Sequence, residues 1–139
     1  MEIIANAVQT VAANQNVYFT DTVIDGNACM THRDGSGLVS LKGLTSQCRA
    51  RYRVAFSGNI AVPEGGTATP ISVAIAIDGE YVPASTMTVT PTAVGAYFNV
   101  ASGIFVDVPR GCCSTVSVQN IGTAAIDVVN ANLIIERVA

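Results

Sequence analysis

A chain of 139 residues with 7 basic and 10 acidic side chains makes one domain of net charge −3, which excludes multidomain machinery and any whole-molecule attraction for nucleic acid or anionic lipid. Half of the residues are hydrophobic and only 12% are charged, so a folded monomer of this size, exposing roughly 6,800 Å², carries about one formal charge per 400 Å². Such a thin ionic coat reads as the surface of an obligate oligomer and not of a membrane protein, because the longest apolar run, Ile71 to Ile77, is seven residues long and interrupted by Ser72.

Val (19), Ile (12) and Thr (13) dominate, while Leu contributes four residues and Lys one. β-Branched side chains fit a pleated sheet and lose rotamer freedom in a helix, so the composition is all-β. In chain order, Ile3 to Val11 and Val17 to Val23 read as two edge-type strands, the second closed by Asp25-Gly26-Asn27. Ala28 to Arg33 turns at Asp34-Gly35-Ser36-Gly37 into Leu38 to Leu41, a hairpin signal. Cys48 to Ser57 has the clearest alternation, with Cys48, Ala50, Tyr52, Val54 and Phe56 on one face and Arg49, Arg51 and Arg53 on the other. After the loop Pro63 to Pro70 come two apolar arms around Asp78-Gly79, the preferred type I′ pair. The first arm sets Ile71, Val73, Ile75 and Ile77 against Ser72, Ala74 and Ala76 with no charge on either face. A sandwich core covers one face only, so Ser72, Ala74 and Ala76 are expected to meet a neighbouring subunit. Ala84 to Val89, Tyr97 to Val108, Ser114 to Asn120 and Ala125 to Arg137 complete about ten strands, the spacing of a two-sheet sandwich or barrel filling residues 1–139. Residues 1–15 read either as an edge strand or as an anchor to a larger assembly.

Candidate chemistry is sparse. His32, Arg33 and Asp34 are consecutive at a Gly-rich turn and lack a nucleophile at a known spacing, so they read as a polar hairpin end. The Arg49, Arg51, Arg53 ladder suits carboxylates, whether on a neighbouring subunit, on a partner, or within the sheet at Glu136 or Asp107. Cys29, Cys48, Cys112 and Cys113 contain no C-x-x-C pair and read as separate buried thiols, though pairing of Cys29 or Cys48 with either of the others stays open. Asp21, Asp25, Asp34, Asp78 and Asp107 sit mainly at turns and form no metal-ligand run, and the glycine pairs lack the Lys-Ser/Thr of a phosphate loop. No enzyme, cofactor or metal is therefore expected. No secretory signal is read at the N-terminus, so synthesis in a cytoplasm is expected.

The element order then resembles a known family. A strand ending Phe56-Ser57-Gly58, the turn Ile77-Asp78-Gly79, a strand into Val108-Pro109-Arg110-Gly111, the Val116 and Val118 strand, and the terminal Ala131-Asn132-Leu133-Ile134-Ile135 strand resemble the TNF/C1q-like jelly roll over roughly residues 17 to 138. That resemblance implies a ten-strand jelly roll assembling as a homotrimer. The opening MEIIANAVQTV, the Pro109 to Cys113 turn and the ending NLIIERVA look like small phage and prophage proteins of the virion surface or head-fibre type. The expected function is a non-enzymatic, homotrimeric structural protein of a phage particle, decorating the capsid or forming a head fibre, with itself and other virion proteins as partners and no nucleic acid or membrane insertion. The alternative expectation is a module binding host-surface carbohydrate or another receptor.

Overall fold

The structure, a computed structural model describing residues 1–139, contains no helix beyond the one-turn 3-10 segment Pro83–Ser85. Twelve strands form it: β1 (Glu2–Ala5), β2 (Gln9–Val11), β3 (Asp21–Ile24), β4 (Met30–His32), β5 (Val39–Lys42), β6 (Arg49–Ala61), β7 (Ile71–Ile77), β8 (Glu80–Tyr81), β9 (Met87–Val89), β10 (Phe98–Pro109), β11 (Cys113–Asn120) and β12 (Ile126–Arg137). They make two six-stranded sheets in which every pairing is antiparallel. The first runs β10-β6-β12-β1-β3 with β2 also on β12, and the second β4-β5-β11-β7-β8 with β9 also on β7.

Alternation makes the two layers. Along β6, Ala50, Tyr52, Val54 and Phe56 turn inward and are shielded from solvent, while the arginines turn out. The inward rows of both sheets merge into one core of 29 side chains, with Phe19 edge-on to Phe56 at 6.5 Å between ring centres. Burying rows of Val, Ile and Leu at roughly 1.5–3 kcal/mol each supplies the main folding force. Buried polar groups serve as joints. Tyr52 donates its hydroxyl to the Lys42 carbonyl at 2.7 Å, and Asn120 donates to the carbonyls of Val11 and Ala124 while accepting from the Gly122 amide. Asn120 thus joins β11 of one sheet to β2 of the other.

Several expected elements differ. The segment Ile3 to Val11 is two strands, interrupted at residues 6–8, because its partner β12 carries a bulge there: Val129 faces Asn59 and Asn132 faces Ser57, leaving one extra residue, and Asn130 adopts φ 54°. The inward side changes parity across it, from Ile126 and Val128 to Ala131, Leu133 and Ile135. Of Val17 to Val23, only the end belongs to β3; Val17 and Phe19 are fully buried but lie outside any strand. The expected strand from Ala84 starts later because Pro83–Ser85 forms the 3-10 turn, where the Ser85 hydroxyl replaces strand pairing by bonding the Ile75 backbone. The Asp78-Gly79 turn has the positive φ pair, 54° and 85°, that type I′ requires.

Candidate functional site

The Arg ladder stands on the outer face of the first sheet, and the register decides its partners. Asp107 on β10 lies opposite Arg51, and Glu136 on β12 lies opposite Arg53. Arg51 grips Asp107 with Nε at 2.7 Å and Nη2 at 3.1 Å, Arg49 reaches the same carboxylate at 3.1 Å, and Arg53 stands 3.7 Å from Glu136. Of the partners open in the sequence, the ladder uses those within its own sheet. The hydrogen bonds and charge of Arg51, with those of Arg49, hold the Asp107 carboxyl below the ordinary carboxylate range, and Asp107 in turn holds the Arg51 guanidinium up.

Beyond the ladder the same face changes character. Side chains on neighbouring strands become small, and a shallow depression of about 360 Å³ opens, lined by Arg53, Ala55, Ser57, Ala101, Gly103 and Ile134. Phe105, opposite Arg53 in register, is 65% exposed, and Ile134 is 40% exposed. Two apolar side chains thus stand above a floor of methyls and backbone, which a sheet face turned to water does not need. The sequence marked this face only through the Arg ladder, although the Phe105, Gly103, Ala101 row of alternate residues was visible in it.

The strip expected to contact a neighbour is placed differently. Ala74 and Ala76 have no exposed surface within the single chain, and the Ser72 hydroxyl is 2.8 Å from that of Thr88. β7 lies between β11 on one side and β8 and β9 on the other, with Ala76 set between Ser117 and Tyr81 and Ala74 opposite Gln119. Fully buried within the single chain, Ala74 and Ala76 have no apolar area left for a subunit to cover.

His32 is a joint and not a polar tip. Its side chain is fully buried, its Nε2–H donates to the Ser36 carbonyl at 2.9 Å, and its Nδ1 lies 3.1 Å from the Thr22 hydroxyl, which donates to Asp34 at 2.8 Å. The cluster fastens β3, the edge of one sheet, to β4, the edge of the other. The cysteines also depart from expectation. Only Cys29 is buried, with Arg137 donating to its sulfur at 3.0 Å, whereas Cys48, Cys112 and Cys113 are exposed because they lie at or beyond strand ends, where the core has stopped. All four are free thiols. Burial, and then the neighbouring Cys29, push the Tyr52 hydroxyl up to about 12. Asp78 follows the turn reading, accepting the Thr115 amide. No group of three or more His, Cys, Asp or Glu side chains is placed to hold a metal ion. A second opening of about 610 Å³, at the β7–β8 hairpin, presents Glu80 and Tyr81 but no imidazole or thiol.

The architecture has a counterpart among solved structures. The globular domain of zebrafish complement 1qA protein superposes with a TM-score of 0.63 over 96% of this chain and 93% of that one, at 12% sequence identity. The fold is a C1q/TNF-like jelly roll. At this identity the likeness extends to the fold alone. Two sugar-binding domains are also similar, the EclA C-terminal domain (TM-score 0.44, 14% identity, 95% of this chain and 79% of that one) and CBM35 from Cellvibrio japonicus Abf62 (TM-score 0.43, 10% identity, 100% and 98%); neither likeness is close enough to argue from. No protein-family model and no curated protein matches the chain.

Proposed function

We propose that the protein is a non-enzymatic structural protein of a phage particle, working as a homotrimer that decorates the capsid or forms part of a head fibre. The observation that supports assembly best is the outer face of β10, β6 and β12, where Phe105 and Ile134 stand exposed over small side chains while the arginines of the ladder are paired along one margin. A stable contact needs about 800 Å² per partner, a small share of the chain's 6850 Å² surface, and the charges bordering the apolar patch, Arg53 and Asp107, already have partners within the sheet. The subunit contact therefore runs through Ala55, Ala101, Gly103, Phe105 and Ile134 instead of Ser72, Ala74 and Ala76. The phage context rests on the sequence resemblance of the chain's two ends and its cysteine-bearing turn.

Light scattering on the purified chain tests the assembly: a particle of three times 14.3 kDa is expected, falling to monomer mass in Phe105→Glu. A wild-type monomer, or an unchanged trimer in the variant, overturns the contact. Co-purification with intact particles tests the location. A second reading, attachment to host-surface carbohydrate, draws on the same face, where an open aromatic ring stands beside Arg53 and Asn132 lines the depression. Binding on a glycan array that is lost in Phe105→Ala while trimer mass is retained favours that reading.

A further inference from the structure

The four cysteines, far apart in the sequence, gather at one end of the sandwich around Lys42 and Gly43. The Lys42 amide donates to the Cys29 carbonyl, the Gly43 amide donates to that of Cys112 at 2.8 Å, and Cys113 pairs with Lys42 across β5 and β11. On the other side, the Arg110 amide donates to the Cys48 carbonyl at 2.9 Å, and Gly111 donates to Gly43 at 3.1 Å. The β10–β11 turn, which carries the chain from one sheet to the other, is thus bonded on one flank to Gly43 and on the other to Cys48. Any side chain at residue 43 would collide with the Pro109 carbonyl, so the approach is as close as the backbone permits.

Alternation sorts the thiols. Cys48 lies two residues before Ala50 and Cys112 two before Ser114, both inward-facing and buried. By parity each cysteine therefore continues an inward row past the end of its sheet, and both are exposed to solvent there. Cys113 continues the outward row of Thr115, and Cys29 is buried against Arg137. The connection from Gly43 to Cys48 has no regular secondary structure to resist a small closing movement.

We propose that Cys48 and Cys112 are a thiol pair that a low-molecular-weight disulfide such as oxidised glutathione converts into an intrachain disulfide. One thiolate attacks a glutathione sulfur, breaking its S–S bond and releasing one glutathione thiolate. The second cysteine, as thiolate, then attacks the protein sulfur of the mixed disulfide and expels the other glutathione. The protein loses two protons and two electrons, and one glutathione disulfide becomes two thiols. The bond clasps the β5–β6 connection to the β10–β11 turn and closes a long loop, the arrangement in which a crosslink restricts the unfolded chain most. This pair is independent of the proposed assembly and of its location.

The test treats the full chain with oxidised glutathione under native conditions and reads intact mass and tryptic peptides without reduction. The expected product is lighter by about 2 Da with no glutathione attached, and it yields Gly43–Arg49 joined to Gly111–Arg137. Cys113→Ser retains this product, whereas Cys48→Ser and Cys112→Ser lose it. The oxidised wild type melts about 5 °C or more higher, a gain erased by reductant. Four thiols surviving, stable glutathione adducts, disulfide-linked dimers, or the same crosslink in Cys112→Ser would each overturn the assignment; circular dichroism of the Ser variants separates failure to pair from failure to fold.

Discussion

Two strips of small side chains on the outer faces of the sandwich have opposite fates. On β7, Ala74 and Ala76 are completely covered by their own chain, while on β6 and β10, Ala55, Ala101 and Gly103 form the floor of an open depression. Composition does not separate them; position in the sheet does. β7 is flanked on both sides by paired strands, whereas Ala101 and Gly103 stand on β10, an edge whose outward row is topped by only one large apolar residue, Phe105, and Ala55 on β6 lies beside that edge. A pattern of alternation tells which side of a sheet a residue takes, but coverage depends on the heights of the neighbours two strands bring alongside.

The strongest way to break this comparison is a charge placed in each strip. Ala74→Glu buries an unpaired carboxylate in the isolated chain and is expected to cost about 3 kcal/mol or more, measured by urea unfolding. Ala101→Glu, at protein concentrations low enough to populate monomer, is expected to stay within about 0.5 kcal/mol of wild type while lowering the mass of the assembled species. Equal losses in the two variants would erase the distinction between covered and open strips.

A finer contrast lies within β6, between the inward Tyr52 and the outward Arg51 beside it. Tyr52→Phe is expected to cost about 1 kcal/mol through the lost bond to the Lys42 carbonyl. Because the folded state raises the Tyr52 hydroxyl to about 12 from an ordinary 10.0, its contribution is complete below pH 10 and is lost as pH rises toward 12. Spectrophotometric titration should show one of the four tyrosines ionising with unfolding and not before it. The smallest effect belongs to Asp107. Its carboxyl is depressed below the ordinary 3.8, so what it adds is present above that value and lost as pH falls below it. Melting curves of Asp107→Asn are expected to be flatter than wild type on the acid limb and parallel to it above pH 5.

The chain from β6 onward was largely legible in advance, because β6, β7, β10, β11 and β12 are long enough for period-two patterning to show, and Asp78-Gly79 names its own turn. The stretch before β6 was less so. Val17 and Phe19 are core residues held by backbone bonds from Val17 to Val118 and from Phe19 to Ser36 rather than by a regular strand, so alternation there indicated burial correctly and strand incorrectly. The Arg ladder could be seen but its partners could not, since cross-strand register is a property of the sheet. Cys48 shares the sequence parity of the inward Ala50, yet it is exposed because the sandwich ends before reaching it. The outward row of Phe105 went unnoticed because a lone exposed aromatic has no period of its own.

The bulge in β12 acts on this strand much as a frameshift acts on a reading frame. Everything from Ala131 onward is oriented by one additional residue at Asn130, so deleting that residue would leave each later side chain chemically intact and turned to the wrong side. Leu133 and Ile135 would leave the core, and Ile134 and Glu136 would enter it. The last stretch of the chain therefore tolerates substitution far better than it tolerates a change of length, and relatives of this protein should vary there in residue identity while conserving the count.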